Sequence, residues 1–536
     1  MGVCLCKDKV EDNNFSNEDE DTDRYTYMVR PNGGQNGNGN SCNNNNQRLS
    51  DRVDQLVKET LDVIASIVDD EPETPNSMLL LHDITDSIKG WLCLVKSLIR
   101  VVPLDHPLGA SVIGLLLDDS PLPSKESVIE VAEMIESNTT IPCERNLCVI
   151  LGCLAEKLLG PCSIAILTET TLAYLLKNIS SNEVAKDVKL FSLIAIEKFA
   201  QTAENKSLIK KKLASYPEHP LLTLEKYVNE TEDYTMRQIG FCAKWSLDNY
   251  FLIENRKYSY QTVNVDGINV MLNTKDVSEY LKISEDGLEA RCDSYSFESV
   301  RSTFSVKSGA WYYECLIITS GVMQIGWAQK ESHFLSSDGY GIGDDAYSVS
   351  FDGCRKLIWY NAKSTAINLP QWKPGSICGC YIDLDAKEVI FSLDGKESFV
   401  FKDCFTDKNV DLGFFPAASY MSFQQCRFNF GAEPFKFPPN RPFNNFNEVA
   451  VLKPQDKIIL PRHLYLEELR KLSVTDDSCS LCFDSLATIR LKPCGHKGFC
   501  SNCTTMLSNC PICRADIAHT EEMIQETTNT NQNASS

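Results

Sequence analysis

The chain has no run of about 20 apolar residues, the length a helix needs to cross a bilayer. Lys96 and Arg100 interrupt one of its most hydrophobic stretches, and Glu156 and Lys157 interrupt another. No membrane-spanning helix is therefore expected. The first residues also lack the apolar segment of a secretory signal. Basic residues are outnumbered, 52 against 73 acidic ones, for a formal net charge of −21. That balance disfavours nucleic acid and anionic surfaces, which are bound by basic patches, so the expected partners are proteins. Nor does any fixed-period repeat stand out.

Cysteine, by contrast, is plentiful: 23 in 536 residues. Seven of them gather with one histidine near the end of the chain. The pairs are Cys479 with Cys482, Cys494 with His496, Cys500 with Cys503, and Cys510 with Cys513. Three are C-x2-C and one is C-x-H. A two-residue gap lets the backbone turn so that both thiolates face one ion, and zinc bound by sulfur and imidazole takes four such ligands. Eight ligands therefore fill two closed sites, and the expected cofactor is zinc, as two structural ions. A catalytic zinc would keep a position open for water. Disulfides fit poorly, since one cysteine would be left over and the histidine would have no role. So short a segment cannot bury enough surface to fold alone, whereas a structural zinc contributes about 10–16 kcal/mol of apparent folding free energy. The other 16 cysteines are scattered, and thiolate zinc sites want a reducing compartment, so the cytoplasm is the expected location.

Cys479 to Arg514 resembles a RING finger of the ubiquitin-ligase type, and the chain as a whole resembles RING finger and SPRY domain-containing proteins. The resemblance implies that the first and third ligand pairs hold one zinc and the second and fourth the other. It also implies an apolar groove for a ubiquitin-conjugating enzyme, at Leu481, Leu507, Pro511 and Ile512. Arg514, directly after the last cysteine, matches the cation that holds the thioester-linked ubiquitin in an attackable pose. Its fork of donors suits that task better than lysine would.

In chain order, the first residues Met1 to Cys6 make Gly2 a candidate for myristoylation and Cys4 and Cys6 candidates for palmitoylation, although Cys6 stands where Ser or Thr is usual. One acyl chain anchors only marginally, and the acidic run from Glu18 to Asp21 rules out a polybasic second signal. Membrane association would therefore depend on the two cysteines; the alternative is a plain disordered start. Residues 11–50 are acidic and then Asn/Gly-rich, and are expected to be disordered. Residues 51–255 read as helices. Val53, Leu56, Val57, Leu61, Ile64 and Val68 make one apolar face, and helical stretches follow at Trp91–Val102, Ser111–Leu117, Leu147–Leu159, Leu172–Leu176, Val188–Ala200 and Ile239–Tyr250. An armadillo- or HEAT-like stack or an irregular bundle is expected. It would serve protein binding or simply space the other domains.

Near residue 256 the pattern changes, and from about 285 to 432 the residues alternate, with turn signals at Gly309, Gly321, Asp352-Gly353 and Asp394-Gly395. Tyr381–Asp385 and Glu388–Leu393 read as a hairpin, and about a dozen such strands indicate an antiparallel sandwich. This stretch is similar to SPRY domains in several patches: Trp311-Tyr312-Tyr313-Glu314, Gln324-Ile325-Gly326-Trp327, Tyr340-Gly341-Ile342-Gly343, Asp383-Leu384, Phe391-Ser392-Leu393-Asp394-Gly395 and Phe428-Asn429-Phe430-Gly431. The resemblance implies binding of peptides or protein surfaces through loops at one rim. Trp311, Trp327 and Trp359 are expected in the core, and Asp344 and Asp345 are acidic loop candidates or a solvated turn. The SPRY domain with its lead-in spans 256–433. A linker with a short helix at His463–Leu472 fills 434–475, the RING occupies 476–517, and a polar tail from 518 to 536 is expected to be disordered.

The reading that unites these parts is a RING-type E3 ubiquitin-protein ligase that forms no covalent intermediate with ubiquitin. It would take a ubiquitin-conjugating enzyme and ubiquitin at the RING, and an unidentified protein substrate at SPRY or the helical region. The alternative is a non-catalytic zinc-containing adaptor.

Overall fold

A computed structural model describes residues 40–67, 74–136, 143–158, 160–334, 339–406, 412–472, 479–480, 487–505, 507, 509–511 and 515–522. The described residues up to Ile459 form one compact unit and those from Leu460 a second.

Twelve helices open the first unit: α1 (Asn40–Ser66), α2 (Asn76–Thr85), α3 (Ile88–Val101), α4 (Gly109–Asp119), α5 (Lys125–Glu136), α6 (Glu144–Lys157), α7 (Pro161–Ile166), α8 (Glu169–Ser180), α9 (Lys186–Phe199), α10 (Ala203–Leu213), α11 (Pro220–Glu225) and α12 (Tyr234–Asn249). α3 packs on α6, α6 on α9 and α9 on α12, so these helices are layered one on the next. From Ile88 to Glu144 is 56 residues, from Glu144 to Lys186 is 42, and from Lys186 to Tyr234 is 48. With spacing that uneven, no fixed period shows in the sequence. α9 is buried on all sides from Val188 to Phe199, as expected of a helix at the centre of a stack.

α1 begins at Asn40, inside the stretch expected to be disordered. Arg100 of α3 donates to Ser50 Oγ at 2.9 Å and to Asp54 at 2.6 Å, and Leu49 packs against the core. Once Val53, Leu56 and Val57 dock, extending the helix backwards adds one backbone bond per residue at little further cost.

The strands are β1 (Leu272–Val277), β2 (Leu281–Ile283), β3 (Glu289–Cys292), β4 (Glu298–Ser302), β5 (Ala310–Ile317), β6 (Met323–Gln329), β7 (Ser348–Asp352), β8 (Leu357–Tyr360), β9 (Lys363–Ala366), β10 (Ile377–Asp383), β11 (Glu388–Leu393), β12 (Lys396–Glu397), β13 (Phe414–Tyr420), β14 (Gln425–Asn429) and β15 (Asn444–Asn445). They form two sheets, ordered β1-β4-β13-β6-β7-β8-β9 and β12-β11-β10-β5-β14-β3-β2. The predicted hairpin is β10–β11, in register from Cys378↔Leu393 to Asp383↔Glu388. Trp327 and Trp359 are fully buried and Trp311 nearly so.

The helices and the sandwich share one apolar core that runs from Val53 to Ala450. Phe191 of α9 meets Phe423 of the β13–β14 loop edge-on at 5.1 Å, and Ser111 Oγ of α4 donates to Ser422 O at 2.8 Å. Charges line the same seam. Lys282 of β2 bridges Glu197 of α9 at 2.6 Å and Asp293 at 2.8 Å, while Arg291 of β3 binds Asp293 at 2.8 Å and Gln238 of α12 at 3.0 Å. The rim that holds the β3–β4 and β13–β14 loops is therefore covered by the chain's own helices.

Residues 434–459, expected to be part of a linker, are stitched to the sandwich. β15 pairs in parallel with β5. The next residue, Phe446, is fully buried against Trp311 at 4.9 Å and Trp327 at 6.1 Å. Lys436 and Phe437 donate their N–H groups to Glu314, and Tyr312 Oη donates to Phe437 O. The aromatic residues among the prolines, which make the segment unlike a flexible spacer, supply this packing. Among the described residues no helix is long and apolar enough to cross a membrane.

Candidate metal centre

The second unit opens with α14 (Arg462–Leu472), following a short α13 (Phe446–Val449) in the first. Its sheet has three strands, β16 (Ile489–Lys492), β17 (Lys497–Phe499) and β18 (His519–Glu522), in the order β17-β16-β18. β18 takes up part of the tail expected to be disordered. It is held by Lys492–Glu521 at 3.1 Å and by Ala518 N–H donating to Lys492 O at 2.8 Å. Ile489, Leu491 and Phe499 pack on Cys510, with Cys494 and Ile517 at the margin. So small a core agrees with the need for a further source of folding energy.

Of the eight predicted ligands, Cys479, Cys494, His496, Cys500, Cys503 and Cys510 are among the described residues. Cys482 and Cys513 lie outside them, as do Leu481, Ile512, Arg514, Gly2, Cys4 and Cys6. The β16–β17 turn places Cys494 and His496 together around Gly495, whose φ of 77° favours glycine. Leu491 N–H donates to His496 O at 2.8 Å and Gly495 N–H to Leu491 O at 2.7 Å, which closes the turn. Immediately after β17, Cys500 caps the single-turn helix α15 (Ser501–Thr504), and Cys503 N–H points at Cys500 Sγ, 3.4 Å away. Cys510 N–H donates to Ala515 O at 2.8 Å.

Residues far apart in the chain then meet. Ser480 donates both its N–H, at 2.8 Å, and its hydroxyl, at 2.7 Å, to Gly498 O, and so pins Cys479 beside the end of β17. The donor atoms of Cys479, Cys500 and Cys503 lie within 4.8 Å of one another, and so do those of Cys494, His496 and Cys510. His496 Nδ1 is 3.5 Å from Cys510 Sγ. Cys479 of the first pair thus converges with the third pair, and Cys510 of the fourth with the second, an interleaving that adjacent pairs would not show. Sulfur and imidazole in groups of this size fit zinc.

Leu507 is half-buried and Pro511 exposed, so both can be reached from outside. Asp344 and Asp345 make no open acidic site. Asp344 is buried and accepts from Gly341 N–H at 2.7 Å, and Asp345 accepts from Ser332 Oγ and Tyr347 N–H. The Ser480–Gly498 clasp and β18 were not foreseen. The only sequence signal for the clasp is Gly498 itself, whose φ of 103° demands glycine.

Residues 310–433 match the family model described as SPRY domain, and residues 475–520 match that described as zinc finger, C3HC4 type (RING finger). The chain is 34% identical over 142 residues to the E3 ubiquitin-protein ligase RKP of Arabidopsis thaliana, which covers 26% of this chain and 11% of that protein. It is 29% identical over 151 residues to a protein described as "Probable ATP-dependent RNA helicase ddx1" of Dictyostelium discoideum, covering 28% of this chain and 18% of that one. The chain thus spans less than a fifth of either relative. Among solved structures, the SPRY domain of human HERC1 matches at 12% identity and a TM-score of 0.26, over 29% of this chain and 96% of that one.

Proposed function

We propose that this chain, which carries a SPRY domain and a C3HC4-type RING finger, is a RING-type E3 ubiquitin-protein ligase. The observation that carries the reading is the interleaved convergence of Cys479, Cys500 and Cys503 on one side and Cys494, His496 and Cys510 on the other. With Cys482 and Cys513 completing the sets, these residues would hold two zinc ions. The ions supply folding energy and leave no position open for chemistry.

The chain's own groups would act by positioning. Leu481, Leu507, Pro511 and Ile512 offer an apolar surface to a ubiquitin-conjugating enzyme, and Arg514 holds the donor ubiquitin so that a substrate amine meets the thioester in a reactive geometry. Bringing both reactants together raises their effective concentration. No bond forms between this chain and ubiquitin. The substrate protein would be selected by the sandwich, the helices or both. Dual acylation at Gly2, Cys4 and Cys6 would place this activity at a cytoplasmic membrane face.

The test is chain formation by the purified protein with activating enzyme, a panel of conjugating enzymes, ubiquitin and ATP. Ubiquitin conjugates are expected, on the protein itself at least, and Leu481→Ala or Arg514→Ala is expected to abolish most of them. A folded, zinc-loaded protein inert across the panel would favour an adaptor that only binds partners. Unchanged activity in both variants would refute the assigned contacts.

A further inference from the structure

Leu507 and Pro511, two of the residues that would meet a ubiquitin-conjugating enzyme, are carried differently. Pro511 directly follows Cys510, so a candidate zinc ligand holds its backbone. Leu507 has no such neighbour. It stands four residues after Cys503 and three before Cys510. These two cysteines belong to different clusters, Cys503 with Cys479 and Cys500, Cys510 with Cys494 and His496. The ligands therefore leave the placement of Leu507 to other contacts. On one side its own N–H donates to Thr504 O at 3.2 Å. On the other, Asn509 pairs antiparallel with Asp516, and Asn509 Nδ2 donates to Asp516 Oδ1 at 2.6 Å.

Asp516 is the anchored end of this bond. The next residue, Ile517, packs at the margin of the small core, and Ala518 N–H donates to Lys492 O at 2.8 Å. β18 then runs along β16 from Lys492↔His519 to Ile489↔Glu522. A hydrogen bond to a carboxylate is shorter and stronger than one between neutral groups. Both side chains are nevertheless exposed, and an exposed pair contributes little to stability. Its consequence is directional: it ties Asn509, midway between Leu507 and Pro511, to the edge of the sheet.

We propose that Asn509 and Asp516 are positioning residues, whose bond sets Leu507 beside Pro511 for capture of the conjugating enzyme. The inference rests on the ligase reading. It is tested on the full chain with the most active conjugating enzyme of the panel, loaded with ubiquitin, by following discharge to free lysine at rising concentrations of that enzyme. Asp516→Ala and Asn509→Ala are each expected to raise KM about fivefold and leave kcat within about twofold of the parent, because a contact used equally in the bound and reacting states appears in KM. Exchanging the pair, Asn509→Asp with Asp516→Asn, reverses donor and acceptor and is expected to restore KM. On a Leu507→Ala background, Asp516→Ala is expected to add nothing, since residues that act through one contact are not additive.

A KM within about twofold of the parent in both single variants would overturn the proposal. So would an exchanged pair as poor as either single variant, full additivity with Leu507→Ala, or loss of zinc from Asp516→Ala, which would make the bond a support of the metal site alone. A parent chain inert with every conjugating enzyme overturns the ligase reading and this inference with it, whereas an active parent with unmoved variants overturns this inference alone.

Discussion

Glu289 of β3 receives the guanidinium of Arg237 of α12 at 2.5 Å, with both side chains almost sealed from water. Glu289 also accepts from Gln425 Nε2 and stands 3.7 Å from Arg427, whereas Arg237 has besides it, among the described residues, only Glu230 O, at 3.3 Å. The pair belongs to the seam that joins helices to sandwich. Removing one partner of a buried pair costs about 3–5 kcal/mol. Glu289→Met, which strands Arg237 and takes the acceptor from Gln425 Nε2 while Arg427 keeps Asp286 at 2.7 Å, is expected at the upper end of that range, and Arg237→Met at or below its lower end. Urea unfolding of both variants checks the order; equal losses would contradict it.

Because one apolar core spans helices and sandwich, the first unit is expected to unfold in a single transition. Helix-sensitive far-ultraviolet dichroism and fluorescence of the sandwich tryptophans should give coincident curves in urea. Two resolved steps would show that the seam is weaker than its packing implies.

Burial alone would push the Asp293 carboxyl up, but Arg291 and Lys282 beside it outweigh that and bring it down to about 2. A carboxyl held below its unfolded value of about 3.9 contributes stability that is fully present above that pH, on the order of 2–3 kcal/mol. The contribution is lost as pH falls through about 2. Stability measured between pH 5 and 2 should therefore fall less steeply in Asp293→Asn than in the parent, although the variant starts lower. Parallel acid limbs would rule the carboxylate out as a contributor.

Phe446 fills the centre of an aromatic cluster with Trp311, Trp327, Tyr313 and Phe430. Truncation to alanine leaves a cavity and is expected to cost about 3–5 kcal/mol. It should also free residues 434–459, so a protease that spares the parent in this segment is expected to cut the variant there.

Cys494→Ser and Cys500→Ser each remove one ligand from a different cluster. Each is expected to lower the zinc content by about one ion per chain and to abolish ubiquitin transfer, while the urea transition of the first unit stays in place. Zinc content follows from a chromophoric chelator assay. Loss of all zinc in one variant and none in the other would mean that the clusters are not two separate sites.

Much of this was legible in the residues because the relevant physics is local. Ligand spacing of two residues makes a knuckle in any context, and period-two alternation around Asp394-Gly395 makes a hairpin. Val53, Leu56, Val57, Leu61 and Ile64 form a buried stripe wherever that helix docks. Less legible were α2, α5, α7, α10 and α11, which are short or polar and rely on neighbours for stability.

By itself the sequence determined the zinc-type character of the cysteine and histidine ligand set, the order of helical region, sandwich and RING finger along the chain, and its net acidic charge. Only the tertiary structure decided that the helices and the sandwich are one body, that Phe446 converts an apparent linker into part of that body, and that Cys479 converges with Cys500 rather than with Cys494. Each of these depends on which distant residues share a small volume, and nothing in the local spacing of a lysine or a phenylalanine encodes what will lie across from it once the core has closed.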